Sequence, residues 1–205
     1  MILETVIVGS LEVNCYILAS GEKRKAIIID PGEDEAKIRK ALDKHGLVPA
    51  VVINTHGHYD HIGCDDAFGV PVCVHQQDSA MLTDAKSNYS AFLASPYKVK
   101  AEIKLLADKQ KIIVEDLELE VRHVPGHTHG GIALVLTKPK DKIVFSGDSL
   151  FWGSIGRTDL GGNEELLVRA IREKLLSLPD DTVVYPGHGP ATSIGEEKAN
   201  NPFLK

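Results

Sequence analysis

The feature that most constrains this chain is a six-residue stretch with the pattern His-x-His-x-Asp-His at positions 56 to 61. The apolar run at 51 to 53 precedes it and predicts a buried strand that carries the stretch at its C-terminal end. Neutral imidazole is the commonest side-chain metal ligand, and a carboxylate adds an oxygen donor. His56 and His58 leave the same face of an extended segment, whereas Asp60 and His61 follow where the chain must turn. The stretch therefore predicts two donors for each of two metal ions.

Four donors do not complete two metal sites, and three later turns have the form that could supply the rest. Each turn follows an apolar run and places a donor beside glycine: His127, Asp148 and His188. Small neighbours let the backbone come close to an ion, and strand ends hold donors rigidly. One such turn alone is usually only a turn. With the first stretch, however, they make seven donors, enough for two ions if one carboxylate bridges them.

Composition and charge narrow the class of protein. A length of 205 residues with 43% hydrophobic residues predicts one globular domain spanning 1–205. The net charge of −6, without a Lys/Arg run, argues against a nucleic-acid partner. The three cysteines have no C-x-x-C spacing and indicate reduced thiols in a cytoplasmic protein. We expect neither a secretion signal nor a membrane span, since no apolar run is long enough.

The order of the predicted elements indicates layers of sheet and helix. Three short β runs between 4 and 30 form a meander, a helix over 33–45 follows, and the strand at 50–54 carries the histidine-rich stretch. The remaining elements are a short helix at 62–68, a strand at 70–75, a helix at 78–86, strands at 111–114, 117–124, 132–137 and 142–145, a helix at 164–177 and a strand at 182–185. Two meanders, each followed by helices, predict a sheet sandwich with helices outside.

Several other residues have two readings. The Asp30-Pro31-Gly32 turn ends a strand, and Asp30 could also lie behind the metal ligands. Arg157 could bind a carboxylate or phosphate of a substrate, or form a salt bridge that fixes its own loop. The aromatic-bearing segment 88–100 could be a substrate lid or simple packing. We do not assign the remaining histidines to the metal site; these are His45, His75, His123 and His129.

The seven donors and the Asp30 turn resemble the metallo-β-lactamase superfamily. Three further stretches are similar to its short glyoxalase-II-like hydrolases: Asn14-Cys15-Tyr16, the run from Ser154 to Asp159, and Asn201-Pro202-Phe203-Leu204. The resemblance implies an α/β fold, a four-layer αββα sandwich of two mixed sheets with helices on the outer faces. It also implies a ligand set: His56, His58 and His127 on one metal, Asp60, His61 and His188 on the other, and Asp148 bridging the two.

The resemblance further implies a dinuclear metal-dependent hydrolase that cleaves a thioester, such as S-lactoylglutathione or a related acyl-thiol, with a hydroxide held between the ions. Zinc is the expected metal, with iron or manganese as alternatives. Asp60 and Asp148 are the candidate catalytic residues, because they can accept the proton of that hydroxide. The expected partner is a small thioester, without nucleic acid or membrane.

Other functions stay open within the superfamily. A persulfide dioxygenase with one iron uses a subset of these ligands, and a phosphodiesterase shares the fold. A non-catalytic metal module is disfavoured, since structural sites are closed four-donor cages. Many true lactamases carry Cys or Ser at one ligand position, so the full His/Asp set argues against antibiotic hydrolysis. Glyoxalase II proper has an added helical domain for glutathione, which the short stretch after His188 does not provide, so the thiol carrier is left open.

Overall fold

A first sheet of six strands is built by the N-terminal half of the chain in a computed structural model that describes residues 1–205. Its strands are β1 (Ile2–Val8), β2 (Val13–Ala19), β3 (Lys25–Ile29), β4 (Val48–Ile53), β5 (Val72–His75) and β6 (Ile103–Leu106), adjacent in that order. The first three run antiparallel, as the predicted meander requires, and β3 to β6 run parallel. Because parallel neighbours point the same way, β3 and β4 end at the same edge of the sheet.

The second sheet comes from the C-terminal half. The strands of this half are β7 (Lys111–Val114), β8 (Leu117–His123), β9 (Ile132–Lys138), β10 (Ile143–Gly147), β11 (Leu150–Phe151), β12 (Ser154–Ile155), β13 (Val183–Pro186) and β14 (Thr192–Ser193). The sheet order is β14-β13-β10-β9-β8-β7, while β11 and β12 form a small separate hairpin. Only β10 and β13 are parallel neighbours, so both end at one edge.

Helices cover the outer faces of both sheets. They are α1 (Glu35–Lys44), α2 (Tyr59–Ile62), α3 (Ser79–Thr83), α4 (Glu164–Lys174) and α5 (Ile194–Asn200), with three short 3-10 helices at Asp65–Phe68, Ser90–Phe92 and Pro202–Leu204. None of the helices has the length and apolar character that crossing a membrane demands.

Three buried clusters define the layers. One cluster lies between the sheets and includes Leu18, Ile27, Ile53, Leu119 and Phe145. A second joins the first sheet to its helices, with Ile17, Ile28 and Ile38, and a third joins the second sheet to α4 and α5, with Leu167 and Ile194. Adjacent residues of one strand, such as Ile17 and Leu18, therefore serve opposite faces. The αββα sandwich of two mixed sheets is confirmed.

Two parts of the predicted element order differ from the structure. The short helix expected at 62–68 is divided into α2, which begins at Tyr59, and the 3-10 helix from Asp65. Gly63 and Cys64 separate them, so the single apolar pattern covers two short helical turns. The sequence prediction also lacked β6, the β11–β12 hairpin, β14 and α5, each of which is short.

Candidate metal centre

The candidate metal centre lies where strands of both sheets end. His56 and His58 occupy the segment between β4 and α2, and α2 then carries Asp60 and His61 in its single turn. His127 follows β8, Asp148 follows β10 and His188 follows β13. The structure thus brings all seven predicted donors together, although they span positions 56 to 188.

The first group of donors, here called the three-histidine cluster, consists of His56, His58 and His127. His127 Nε2 lies 3.3 Å from His56 Nε2 and 3.0 Å from His58 Nδ1. All three side chains are buried. Three ring nitrogens at this spacing surround a point that each can reach, which is the arrangement a cation needs.

The second group, here called the Asp60 cluster, consists of Asp60, His61 and His188. His61 Nε2 lies 3.3 Å from His188 Nε2, and Asp60 Oδ2 lies 3.5 Å from His188 Nε2 and 3.7 Å from His61 Nε2. These atoms also converge on one point. The Asp60 cluster could therefore hold a second cation.

Asp148 lies between the two clusters. Its Oδ2 is 3.6 Å from His127 Nε2 and 3.5 Å from His188 Nε2, and its Oδ1 is 3.5 Å from His61 Nε2. Oδ1 is buried and accepts no hydrogen bond from any protein group. A buried carboxylate oxygen without a donor is costly, and a cation on each side would satisfy it.

The outer nitrogens of the imidazoles determine which atom faces inward. His127 Nδ1 lies 2.7 Å from the backbone oxygen of Arg157, and His188 Nδ1 lies 2.9 Å from that of Leu11. Since a carbonyl oxygen can only accept, each Nδ1 donates, and each Nε2 presents a lone pair to the centre. His61 Nδ1 lies 3.0 Å from Asp30 Oδ2, which also favours the proton on the outer side.

These lone pairs give a direct test of whether the residues fit metal ions. His56 Nδ1 lies 3.2 Å from the Thr55 hydroxyl, which itself donates to Asp30, so His56 also turns its Nε2 lone pair inward. Lone pairs on His56 and His127 then face each other at 3.3 Å with no proton between them. That contact is repulsive unless a cation occupies the space. The donor set therefore fits a pair of divalent metal ions.

Burial and charge shift the pKa values of His56 and His58 downwards and that of His61 upwards. Burial holds the pKa of His56 well below its ordinary value and lowers the pKa of His58 to about 3, so both imidazoles are neutral and free to coordinate. Burial also acts to lower the pKa of His61, but the carboxylates of Asp148, Asp60 and Asp30 outweigh it and raise that pKa to about 10. Negative charge therefore surrounds the Asp60 cluster, and a cation bound there would take the place of the proton on His61 Nε2.

Close backbone contacts fix the elements that carry the donors. A Cβ atom at Gly32 would lie 1.6 Å from the backbone oxygen of Asp60, and one at Gly187 would lie 2.1 Å from Asp148 Oδ1. Asn14 Nδ2 donates to the backbone oxygens of Pro186 and Gly189, and the Tyr16 hydroxyl donates to Pro186 as well. The Asp30 turn and β2 thus position the turns that carry Asp60 and His188.

A cavity of about 500 Å³ opens over the two clusters. Beside the donors it is lined by Leu11, Tyr59, Tyr89, Phe151, Ser154, Ile155, Arg157 and Leu160. The Arg157 guanidinium is exposed and donates to both carboxylate oxygens of Asp159, at 2.7 and 2.6 Å. Both sequence readings of Arg157 are thus compatible with its position, at the rim of the cavity and paired within its own loop.

The sequence left the role of Tyr89 open within the segment 88–100 and gave no indication of Leu11. Tyr89, from the segment 88–100, donates to the backbone oxygen of Leu160 and reaches the cavity wall, whereas Phe92 in the same segment is largely exposed. Leu11 supplies a backbone oxygen to His188. No local pattern marks these positions, because their role comes from contacts between distant parts of the chain. Of the four histidines left out, His75 and His123 stack on each other and His45 pairs with Glu4.

Comparison with known proteins identifies the family of the chain. Residues 8–188 match the family model of the metallo-beta-lactamase superfamily. An uncharacterized protein of Mycobacterium tuberculosis is 43% identical over 215 residues, with 96% of this chain and 95% of that protein covered. "Probable metallo-hydrolase YqgX" of Bacillus subtilis is 39% identical, covering 96% and 94%. The hydroxyacylglutathione hydrolase GloC of Haemophilus influenzae is 35% identical, covering 100% and 98%.

Solved structures agree as well. The BLEG-1 B3 metallo-beta-lactamase superposes with a TM-score of 0.92 at 37% identity and full coverage of both chains. TTHA1623, solved in a di-iron-bound form, gives 0.84 at 34% identity, covering 98% of this chain and 100% of that one. ETHE1 from Myxococcus xanthus gives 0.78 at 28% identity, covering 98% and 84%. The chain belongs to the metallo-β-lactamase superfamily, and its membership supports a metal-dependent enzyme of the hydrolase class.

Proposed function

We propose that this protein is a cytoplasmic dinuclear metal-dependent hydrolase that cleaves a thioester, such as S-lactoylglutathione or a related acyl-thiol. The observation that carries the proposal is the position of Asp148, whose carboxylate lies between two complete groups of inward-facing donors. Similarity to GloC, a hydroxyacylglutathione hydrolase, supports the substrate class. Three free cysteines are consistent with a reducing compartment.

We propose zinc as the metal. Its ordinary ligands are imidazole nitrogen and carboxylate oxygen, which are the donors of both clusters. Iron is the alternative that TTHA1623 supports, since that relative was solved in a di-iron-bound form. Manganese is a further alternative, because carboxylate donors suit it.

The candidate centre would supply an activated water and acceptors for its proton. When bound, two divalent ions would lower the pKa of a water towards about 7 and polarise the substrate carbonyl. Asp60 and Asp148 keep negative charge at the centre and accept the proton that the water loses. A thiolate leaves with a conjugate-acid pKa of about 8.5, so the leaving group needs no strong general acid.

We further propose that Arg157 binds a carboxylate or phosphate of the substrate at the rim of the cavity. Its planar guanidinium suits such groups. Asp159 competes for the same guanidinium, but both side chains are exposed, so solvent and salt weaken their pairing. A substrate anion can therefore displace Asp159. The partner is a small molecule, without nucleic acid or membrane.

The test is turnover of S-D-lactoylglutathione beside other acyl-thiols by wild type, His58→Ala and His45→Ala. His58→Ala removes a donor of the three-histidine cluster, and we expect kcat/KM to fall by about 100-fold or more. His45→Ala is the matched control, since His45 pairs with Glu4 at the C-terminal end of α1 and should leave activity unchanged. Equal rates for His58→Ala and wild type would contradict the proposal.

Metal analysis and a wider substrate panel separate the alternatives. Protein purified without added metal should hold two divalent ions per chain. One iron per chain, with oxygen uptake on glutathione persulfide, would instead identify a dioxygenase. A phosphodiester turned over faster than any thioester would favour the phosphodiesterase. A β-lactam belongs in the panel because BLEG-1 is a relative, and preferential β-lactam hydrolysis would also overturn the thioesterase.

A further inference from the structure

Asp78 is a fully buried carboxylate that the seven-donor set does not include. It directly precedes α3, at the position where an aspartate ordinarily caps the first turn of its own helix. The structure shows no such capping bond from its side chain. The carboxylate must therefore have another role, because a buried ionisable group without partners is expensive.

The carboxylate of Asp78 accepts three hydrogen bonds from two separate loops. Its Oδ2 accepts from the backbone N–H of Gly57 at 3.1 Å, in the segment between His56 and His58. The same oxygen accepts from the Thr128 hydroxyl at 2.7 Å, and Oδ1 accepts from the backbone N–H of Gly130 at 2.6 Å. Gly57 thus belongs to the first loop, and Thr128 and Gly130 to the loop of His127.

These two loops carry all members of the three-histidine cluster. They come from different sheets, since one follows β4 and the other follows β8. The distance of 3.0 Å between His58 and His127 therefore depends on how the loops are held together. We propose that Asp78 is a positioning residue that sets the spacing of the three-histidine cluster by joining its two loops.

The same contacts do not reach the Asp60 cluster. His188 lies in the turn held by Asn14 and Tyr16, and Asp60 lies in α2, whose backbone packs against Gly32. None of these groups bonds to Asp78. Loss of the Asp78 carboxylate should consequently weaken one metal site far more than the other. A residue needed only for general stability would weaken both alike.

The experiment measures metal affinity rather than activity. Zn²⁺ is titrated into the metal-free full chain in competition with a chromophoric chelator, which yields two dissociation constants. A His188→Ala variant assigns them, because it removes a donor from the Asp60 cluster only. Asp78→Asn keeps the side-chain shape but replaces one carboxylate oxygen with an NH2 group. That group would face the N–H or O–H groups that now donate to Asp78. We expect the affinity of the three-histidine cluster to fall by about 10–100-fold, with a much smaller change at the Asp60 cluster.

Two further variants keep the result decisive. Asp108→Asn is the matched control, because Asp108 accepts from the His123 backbone and from Lys174 and contacts neither loop. It should lower the melting temperature without changing either dissociation constant. Thr128→Val removes one hydrogen bond to Asp78 and should produce a smaller loss of Zn²⁺ affinity, again only at the three-histidine cluster. This variant replaces Asp78→Asn in the test if Asp78→Asn does not fold.

Selective loss at the three-histidine cluster supports the inference. No change in either constant, or an equal loss in both, would overturn it. The inference rests on the proposed metal-dependent function, but the two fail differently. A wild-type chain that does not bind two Zn²⁺ ions contradicts the proposed function, whereas two Zn²⁺ ions in wild type without selectivity in Asp78→Asn contradict only the role of Asp78.

Discussion

At the scale of single residues, the chemistry of the candidate centre depends on partners that lie behind the donors. Backbone oxygens hold the outer nitrogens of His127 and His188, and Asp30 lies beside that of His61. The sequence indicated the role of Asp30 as one of two readings, because its turn follows a strand that ends at the correct edge. It could not indicate Leu11 or Arg157 as backbone partners, since any residue type offers a carbonyl oxygen.

Charge at the rim of the cavity leads to a prediction at this scale. Asp159→Asn removes the partner of the Arg157 guanidinium, so we expect KM for an anionic thioester to fall by a few-fold, because the substrate anion no longer competes with Asp159. Arg157→Gln should raise that KM. Steady-state kinetics with S-lactoylglutathione and a neutral thioester of the same acyl group provide the check. Equal changes for both substrates would argue that Arg157 only fixes its loop.

At the scale of elements, short segments position the donors. The sequence predicted the strands that end at the centre, because runs such as Val51-Val52-Ile53 and Ile143-Val144-Phe145 are apolar and bounded by turns. It misplaced α2 because a single turn of helix at Tyr59–Ile62 has too few residues to show a period. Asp60 and His61 therefore belong to a helix, where a loop was expected. The β11–β12 hairpin, with two residues per strand, is likewise too short to detect.

The contact between the Asp30 turn and α2 gives a prediction at this scale. Gly32→Ala would place a methyl group 1.6 Å from the backbone oxygen of Asp60, so α2 must move. Overpacking of this kind costs about 1–3 kcal/mol or more, and the displaced Asp60 should weaken metal binding. Thermal unfolding and Zn²⁺ titration measure the two effects. Gly21→Ala is the control, since its nearest neighbour would be 3.9 Å away and neither quantity should change.

At the scale of the whole molecule, each cluster takes donors from both sheets. The three-histidine cluster joins segments after β4 and β8, and the Asp60 cluster joins α2 to the turn after β13. The order of elements in the sequence was enough to predict the layered sandwich. The order of elements did not predict which edges of the two sheets lie together, because this follows from the way the sheets pack across Leu18, Leu119 and Phe145.

Removal of metal should therefore reduce the stability of the entire chain. A ligand that binds only the folded state at about 100 times its dissociation constant contributes about 2.7 kcal/mol. For a domain of this size that corresponds to a fall in melting temperature of about 5–10 °C after chelation. Differential scanning calorimetry with and without a chelator, followed by addition of Zn²⁺, measures it. An unchanged melting temperature would mean that the donors do not hold metal in the folded state.

A second prediction at this scale concerns acid stability away from the centre. Hydrogen bonds from Lys111, Thr137 and Lys138 lower the pKa of Glu118 from about 4.5 to about 2. Because these hydrogen bonds favour the ionised form of Glu118 in the folded state, Glu118 stabilises the folded state above pH 4.5. This contribution is lost as the pH falls towards 2.

The variant Glu118→Gln should flatten the dependence of melting temperature on pH in that window. The experiment uses metal-free protein, so that competition between protons and metal ions for the histidines does not affect the melting temperature. Glu102→Gln, at an exposed and loosely paired position, should leave the curve unchanged. A curve for Glu118→Gln that parallels wild type would show that the folded state does not favour this carboxylate.

The distribution of donors over both sheets also bears on how the protein is made. A ribosome delivers His56, His58 and Asp60 long before His188, the last donor in the chain. The three-histidine cluster and Asp148 are all made once synthesis reaches residue 148, whereas the Asp60 cluster is incomplete until residue 188 is made. In the dinuclear centre proposed above, the second ion could therefore meet all its ligands only near the end of synthesis, and a chain without metal would have its two halves joined only by side-chain packing and hydrogen bonds such as those of Asp78 and Asn14.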